Sequence, residues 1–200
     1  MKIVLVGANG TIGSLVSKAL EGSGCEIIKV GKKSGDFQVD ITKRESVRAL
    51  YRNLGSFDAV VNASGDVAFA PLPNLTPEQW ELSLSSKLMG QVHLVQEALP
   101  FIREKGSFTL VSGVLSSEFI QAGVAATMVN RAIEGFVQAS AIELPKHLRI
   151  NVISPTVLKE SEKAYGAFFP GFIPVEGWKV AQAYKKSVLG AQTGQIYKVE

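Results

Sequence analysis

Apolar residues follow two alternating rhythms along this chain. Short runs rich in β-branched residues occur at KIVLV (2–6), EIIKV (26–30), FQV (37–39), DAVVN (58–62), SFTLV (107–111), RINVI (149–153) and QIYKV (195–199). Between them, near 11–22, 43–54, 77–103, 122–144 and 178–188, apolar residues recur three and four apart. Nearly continuous runs suit strands buried on both faces, and the longer periodic segments suit amphipathic helices. Strands alternating with helices predict one parallel sheet covered on both sides, with right-handed crossovers. The expected fold is doubly wound α/β, with a single domain over residues 1–200. No repeat, low-complexity tract or linker interrupts it.

Composition narrows the class without adding chemistry. Two hundred residues, 46% hydrophobic and 20% charged, suffice for one soluble domain with a sizeable core. The formal charge of +3 includes no run of five like charges, so neither nucleic acid nor membrane is an expected partner. The apolar run after Lys2 is only IVLV, too short for a secretion signal, and no stretch approaches the ~18 apolar residues of a membrane span. The single cysteine, Cys25, fits a reducing compartment, and the expected location is cytoplasmic. His93 and His147 have no carboxylate or cysteine at ligand spacing, so no metal site is expected.

Ligands of such sheets meet the carboxyl ends of the strands where the strand order reverses. The first strand runs into VGANGTIGS, where Gly7, Gly10 and Gly13 stand three apart before a helix. The spacing departs from the G-x-G-x-x-G dinucleotide fingerprint. Its physics is shared: small residues let a diphosphate approach free N–H groups at the positive end of a helix. Asn9, Thr11 and Ile12 belong to the same expected cradle. The second strand ends in VGKKSGD, placing Lys32, Lys33 and Ser34 where a carboxylate would accept from ribose hydroxyls. Basic residues there suit a 2′-phosphate, so NADP(H) is expected over NAD(H). The alternative is that both lysines simply face water. VDIT (39–42) ends the third strand with Asp40, able to accept from an adenine amino group. NASG (62–65) ends the fourth with a small-residue turn against which a ribose can lie.

Together with SKLMGQVHLVQEALP, GSFTLVSG, RAIEGFVQASAIEL, RINVISPTVL and TGQIYKV, these segments resemble the short-chain dehydrogenase/reductase family over nearly the whole chain. The resemblance implies a Rossmann-type sheet of seven strands ordered 3-2-1-4-5-6-7, a nicotinamide cofactor, and hydride exchange with a carbonyl or alcohol. It puts Gly7, Gly10, Ile12 and Gly13 at the pyrophosphate and Asp40 and Ile41 at the adenine. Asn62, Ala63, Ser64 and Gly65 would line the adenosine ribose, and Pro155 and Val157 would lie beside the nicotinamide. A homodimer or homotetramer paired through the helices near 77–103 and 122–144 is also implied.

The family carries a serine after the fifth strand and a Tyr-x-x-x-Lys pair on the next long helix. Here Ser112 keeps the serine position, and RAIEGF (131–136) fixes a register that puts Ala126 and Asn130 at the other two. The pair is absent rather than displaced: four residues beyond Tyr51, Tyr165 and Tyr184 stand Gly55, Phe169 and Val188. Asn130 can bond a ribose but carries no charge, and Ala126 cannot move a proton. In the preceding helix the family's asparagine position holds Lys87. At about 100° per residue Lys87 falls roughly 60° from Leu84, beside the apolar stripe. Its ammonium then either enters the site or snorkels to water. The expected catalytic residues are Ser112, orienting a substrate oxygen, and Lys87.

Between about 156 and 178 an aromatic-rich segment replaces the family's usual substrate loop. Tyr165, Phe168, Phe169, Phe172 and Trp178 there suit a lid, a self-association face or a satellite core, and Tyr165 is a candidate substitute acid. The resulting reading is an NADP(H)-binding oxidoreductase acting on an unknown carbonyl or alcohol through a non-standard site. The alternative is a dinucleotide-binding sensor or partner-binding protein without turnover.

Overall fold

Successive residues of a strand face opposite ways, and β1 (Lys2–Val6) uses both faces. In the computed structural model, which describes Met1–Glu200, Val4 and Val6 enter one core while Ile3 and Leu5 enter another. The first core packs the sheet against α2 (Arg44–Leu54), α4 (Gly90–Gln96) and α5 (Val124–Glu143) through Tyr51, Leu94 and Ile133. The second packs it against α1 (Thr11–Leu20) and α7 (Gly177–Leu189) through Val16, Val180 and Tyr184. The two large buried phenols keep their hydroxyls satisfied: Tyr51 donates to the Leu94 carbonyl and Tyr184 to that of Asn62.

The remaining strands are β2 (Glu26–Gly31), β3 (Phe37–Gln38), β4 (Phe57–Asn62), β5 (Ile102–Val111), β6 (Arg149–Pro155) and β7 (Ile196–Val199). All seven lie parallel in the order β3-β2-β1-β4-β5-β6-β7, the expected Rossmann arrangement. The order reverses between β1 and β4, so the crevice opens at Gly7 and at the turn after Asn62.

Two departures from the sequence pattern matter. The long helix expected over 77–103 ends at Gln96, and its former tail becomes the start of β5 at Ile102. Pro100 explains the break, since its ring disfavours helical backbone before it and supplies no N–H. The run is also not uniform. It begins as α3 (Pro77–Leu82), with Thr76 and Gln79 forming a reciprocal capping box, and widens into a π-helical segment, Ser83–Met89, before α4. A short helix, α6 (Glu162–Tyr165), lies in the aromatic-rich segment. No helix is long and apolar enough to cross a membrane.

Candidate functional site

The glycine turn is built for close approach. Gly7 has φ +79°, which favours glycine, and a Cβ there would meet Ala63 and Ser64 at 2.8–2.9 Å. A Cβ on Gly13 would overlap the Gly7 carbonyl oxygen. α1 therefore starts hard against the turn, with Gly10 as N-cap and no side chain capping it. The amides of Thr11, Ile12 and Gly13 have no backbone acceptor. Free amides with a positive dipole end suit a diphosphate. Asn9 Nδ2 donates to Ser34 Oγ at 2.7 Å, joining this turn to the end of β2.

Beside the turn lies a cavity of ≈ 200 Å³ lined by Gly7, Lys32, Asp40, Ile41, Ser64 and Gly65, among others. The Thr42 hydroxyl, bonding Asp40 Oδ1 at 2.7 Å, holds that carboxyl below its usual range, with Lys32 and Lys43 assisting. Lys33 is exposed and lines neither this cavity nor the larger one described below; its carbonyl accepts from Gln38. Asn62 is fully buried and spends its side chain on the turn, donating to the Ser64 carbonyl and accepting from the Ser64 hydroxyl. It shapes the small-residue wall, whereas Ser64 and Gly65 form the cavity surface.

Gly65 and Asp66 also line a larger cavity of ≈ 330 Å³. Here the structure brings together Lys87, Ser112, Ala126, Asn130, Pro155 and Val157, with Val67, Phe69, Leu115 and Phe169 as apolar walls. Asn130 is 6% exposed, and its Oδ1 is buried without a partner. A buried acceptor left open is costly unless a ligand satisfies it.

Lys87 takes the inward arrangement. It is 9% exposed, and its stem packs beside Gly65, where a Cβ would lie 3.0 Å from Lys87 Cδ. No carboxylate is within ion-pair distance of its ammonium. Burial pushes its pKa down to about 8, with Asp66 opposing the shift. The π-helical segment that carries it is fastened from below. Ser83 Oγ accepts from the Ala68 amide and Ser86 Oγ from that of Asp66.

Ser112 lines the cavity, but its hydroxyl donates to Glu134 Oε1 at 2.8 Å, and Glu134 is 8% exposed. The proton expected to orient a substrate oxygen is therefore committed to Glu134. Side chains alternate along extended backbone, and the next position, Gly113, is the one whose Cβ would face Asn130 Nδ2, at 3.2 Å. Tyr165 lines the mouth and is 49% exposed. Sequence reasoning did not single out Asp66, which lines the cavity, or Glu134, which holds the Ser112 hydroxyl. Glu134 stands four residues beyond Asn130 and eight beyond Ala126, on one helix face, and that spacing was the available signal.

The aromatic segment divides. Phe169 and Phe172 pack edge to face and join Phe69 against Val114, Leu115 and Ala126, so this satellite core also walls the cavity. Trp178 is exposed, and Tyr184 belongs to the main core.

The family model described as enoyl-(acyl carrier protein) reductase matches residues 7–187. The crystal structure of protein lin1944 from Listeria innocua is 46% identical, covers all of both chains and superposes with a TM-score of 0.97. A small-chain dehydrogenase crystallised with NADPH shares the fold at 24% identity and TM-score 0.89, over 100% of this chain and 96% of its own. The hydroxynaphthalene reductase-like protein Arp2 of Metarhizium robertsii is 29% identical over 145 residues, which are 67% of this chain and 52% of that protein. The chain thus spans about half the length of that relative. With matched sequence, strand order and crevice in agreement, the chain belongs to the short-chain dehydrogenase/reductase family.

Proposed function

We propose that this protein is an NADP(H)-dependent oxidoreductase that interconverts a small carbonyl compound and its alcohol, with Lys87 as the proton donor. The observation that carries this reading is the ammonium of the buried Lys87, without an ion-pair partner, in the same cavity as Asn130 and Ala126. The residues fit a nicotinamide dinucleotide. Free amides at Thr11–Gly13 suit its diphosphate, Lys32 and Ser34 a 2′-phosphate, and Asp40 its adenine. The open Asn130 Oδ1 can accept from a ribose hydroxyl. Bound there, the reduced nicotinamide would supply a hydride to the carbonyl carbon.

The protein's part is to hold the carbonyl and supply a proton. Ala126 and Asn130 stand at the family's tyrosine and lysine positions, and neither supplies an acid. Lys87 has a pKa of about 8, so near neutrality it is charged yet gives up its proton at modest cost. Its ammonium would bond the carbonyl oxygen, stabilise the negative charge that develops there, and then protonate it. The neutral amine would regain a proton from solvent. Val67, Phe69, Leu115 and Phe169 would give that oxygen an apolar surrounding.

The test is NADPH oxidation followed by absorbance with a panel of aldehydes and ketones. The proposal expects turnover that falls as pH rises through about 8 and drops roughly 10²–10⁴-fold in Lys87→Met. Turnover that survives Lys87→Met unchanged contradicts the assignment. NADPH binding with no turnover across the panel favours a binding protein instead.

A further inference from the structure

Lys87 sits in a widened turn. In π-helical backbone an amide reaches the carbonyl five residues back, as Gly90 does with Ser85. Such turns are less regular than an α-helix, so what fixes a side chain on one must come partly from outside it. Gln91 supplies that contact. Its Nε2 donates to the Lys87 carbonyl and to the Val111 carbonyl, each at 2.9 Å, and its Oε1 accepts from the Val111 amide at 2.9 Å. Gln91 is fully buried.

The Val111 backbone needs such a partner. Pairing between β4 and β5 ends at Thr109, and the residue after Val111, Ser112, turns its amide toward Ile153 on the other side. Gln91 therefore stands in for a strand at the tip of β5 while gripping the main chain of Lys87. One side chain ties the residue carrying the ammonium to the segment that supplies Ser112 and Gly113. Gly65 packs beside the same residue, close enough that a Cβ there would lie 3.0 Å from Lys87 Cδ and 3.1 Å from its Cα.

We propose that Gln91 is the positioning residue of this site, clamping Lys87 to the end of β5 so that its ammonium opens into the cavity rather than to bulk water. The inference rests on the reading of Lys87 as proton donor. Asp66 is the charged group acting on Lys87, and Gln91 itself is neutral, so its effect is exerted through position.

The test is carried out on the full chain, without cofactor or substrate. The reactivity of Lys87 toward trace acetic anhydride is followed against pH by peptide mass spectrometry, in wild type, Gln91→Met and Leu94→Ala. Gln91→Met keeps the length but removes all three bonds. Leu94→Ala hollows the core one turn away and controls for lost stability. The expected wild-type midpoint is about 8. In Gln91→Met it rises by about one pH unit or more toward the ordinary lysine value of 10.5. In Leu94→Ala it stays in place. A midpoint unmoved in Gln91→Met overturns the proposal and leaves Lys87 as donor intact. A shift as large in Leu94→Ala overturns it too, because general loosening would then set the position. An ordinary midpoint in the wild type removes the reading of Lys87 itself, and the role of Gln91 with it.

Discussion

Lys87, the proposed proton donor, costs stability. Its proton is held at about pH 8 in the folded chain against 10.5 ordinarily, so between those values the unfolded chain binds more protons. Stability therefore rises with pH across that window. The full penalty, about 3 kcal/mol, applies below pH 8 and is gone above about 10.5. Lys87→Met is accordingly expected to raise the unfolding free energy at pH 7 by that order, and by much less at pH 10.5, in urea titrations at both values. An equal effect at the two pH values would show that packing, rather than charge burial, sets the difference. The sequence placed Lys87 beside an apolar helical stripe but left open whether its ammonium enters the site or reaches water; its burial decides for the inward course. The commitment of Ser112 was not legible, because a carboxylate in the middle of a long helix ordinarily faces solvent. Asn62 was legible as part of a turn, and its side chain is spent on hydrogen bonds to Ser64.

The cradle depends on how closely α1 abuts the turn after β1. Gly13→Ala would push a methyl group into the Gly7 carbonyl and the Ala8 Cα. The turn would have to open, at a cost of about 1–3 kcal/mol, and the first-turn amides would move with it. Loss of stability together with at least tenfold weaker NADPH binding is expected from denaturation and titration of that variant, about 1.4 kcal/mol of binding energy. Unchanged values for both would mean that the turn yields without consequence. The strands and the main helices were legible because their apolar rhythms are long and distinct. The π-helical segment was not: SLSSKLM has no pattern that separates it from an α-helix, and its form depends on Ser83 and Ser86 gripping the chain at 66–68. The early end of the 77–96 run was signalled by Pro100, but apolar residues continuing past it obscured the stop.

Two cavities meeting at Gly65 and Asp66 give the molecule one continuous crevice at the carboxyl edge of its sheet. The smaller cavity is lined by the glycine turn and the strand ends that resemble the family, whereas in the larger one Ala126 and Asn130 stand at the family's tyrosine and lysine positions. The glycine turn and the strand ends could be read from spacing together with the family resemblance, whereas the burial of Lys87 and its lack of an ion-pair partner required the structure. The proposed preference for a phosphorylated dinucleotide rests on Lys32 at the cavity wall and on Ser34, tied to Asn9. Because the phosphate and adenine contacts are separate from the altered positions Ala126 and Asn130, binding should be complete even where turnover is slow. Calorimetric titration of the wild-type protein with NADPH and NADH tests this most directly. The account predicts saturable binding of NADPH at one site per chain, at least about tenfold tighter than NADH, a difference of about 1.4 kcal/mol. Absence of binding by either dinucleotide, or equal affinity for both, would contradict it.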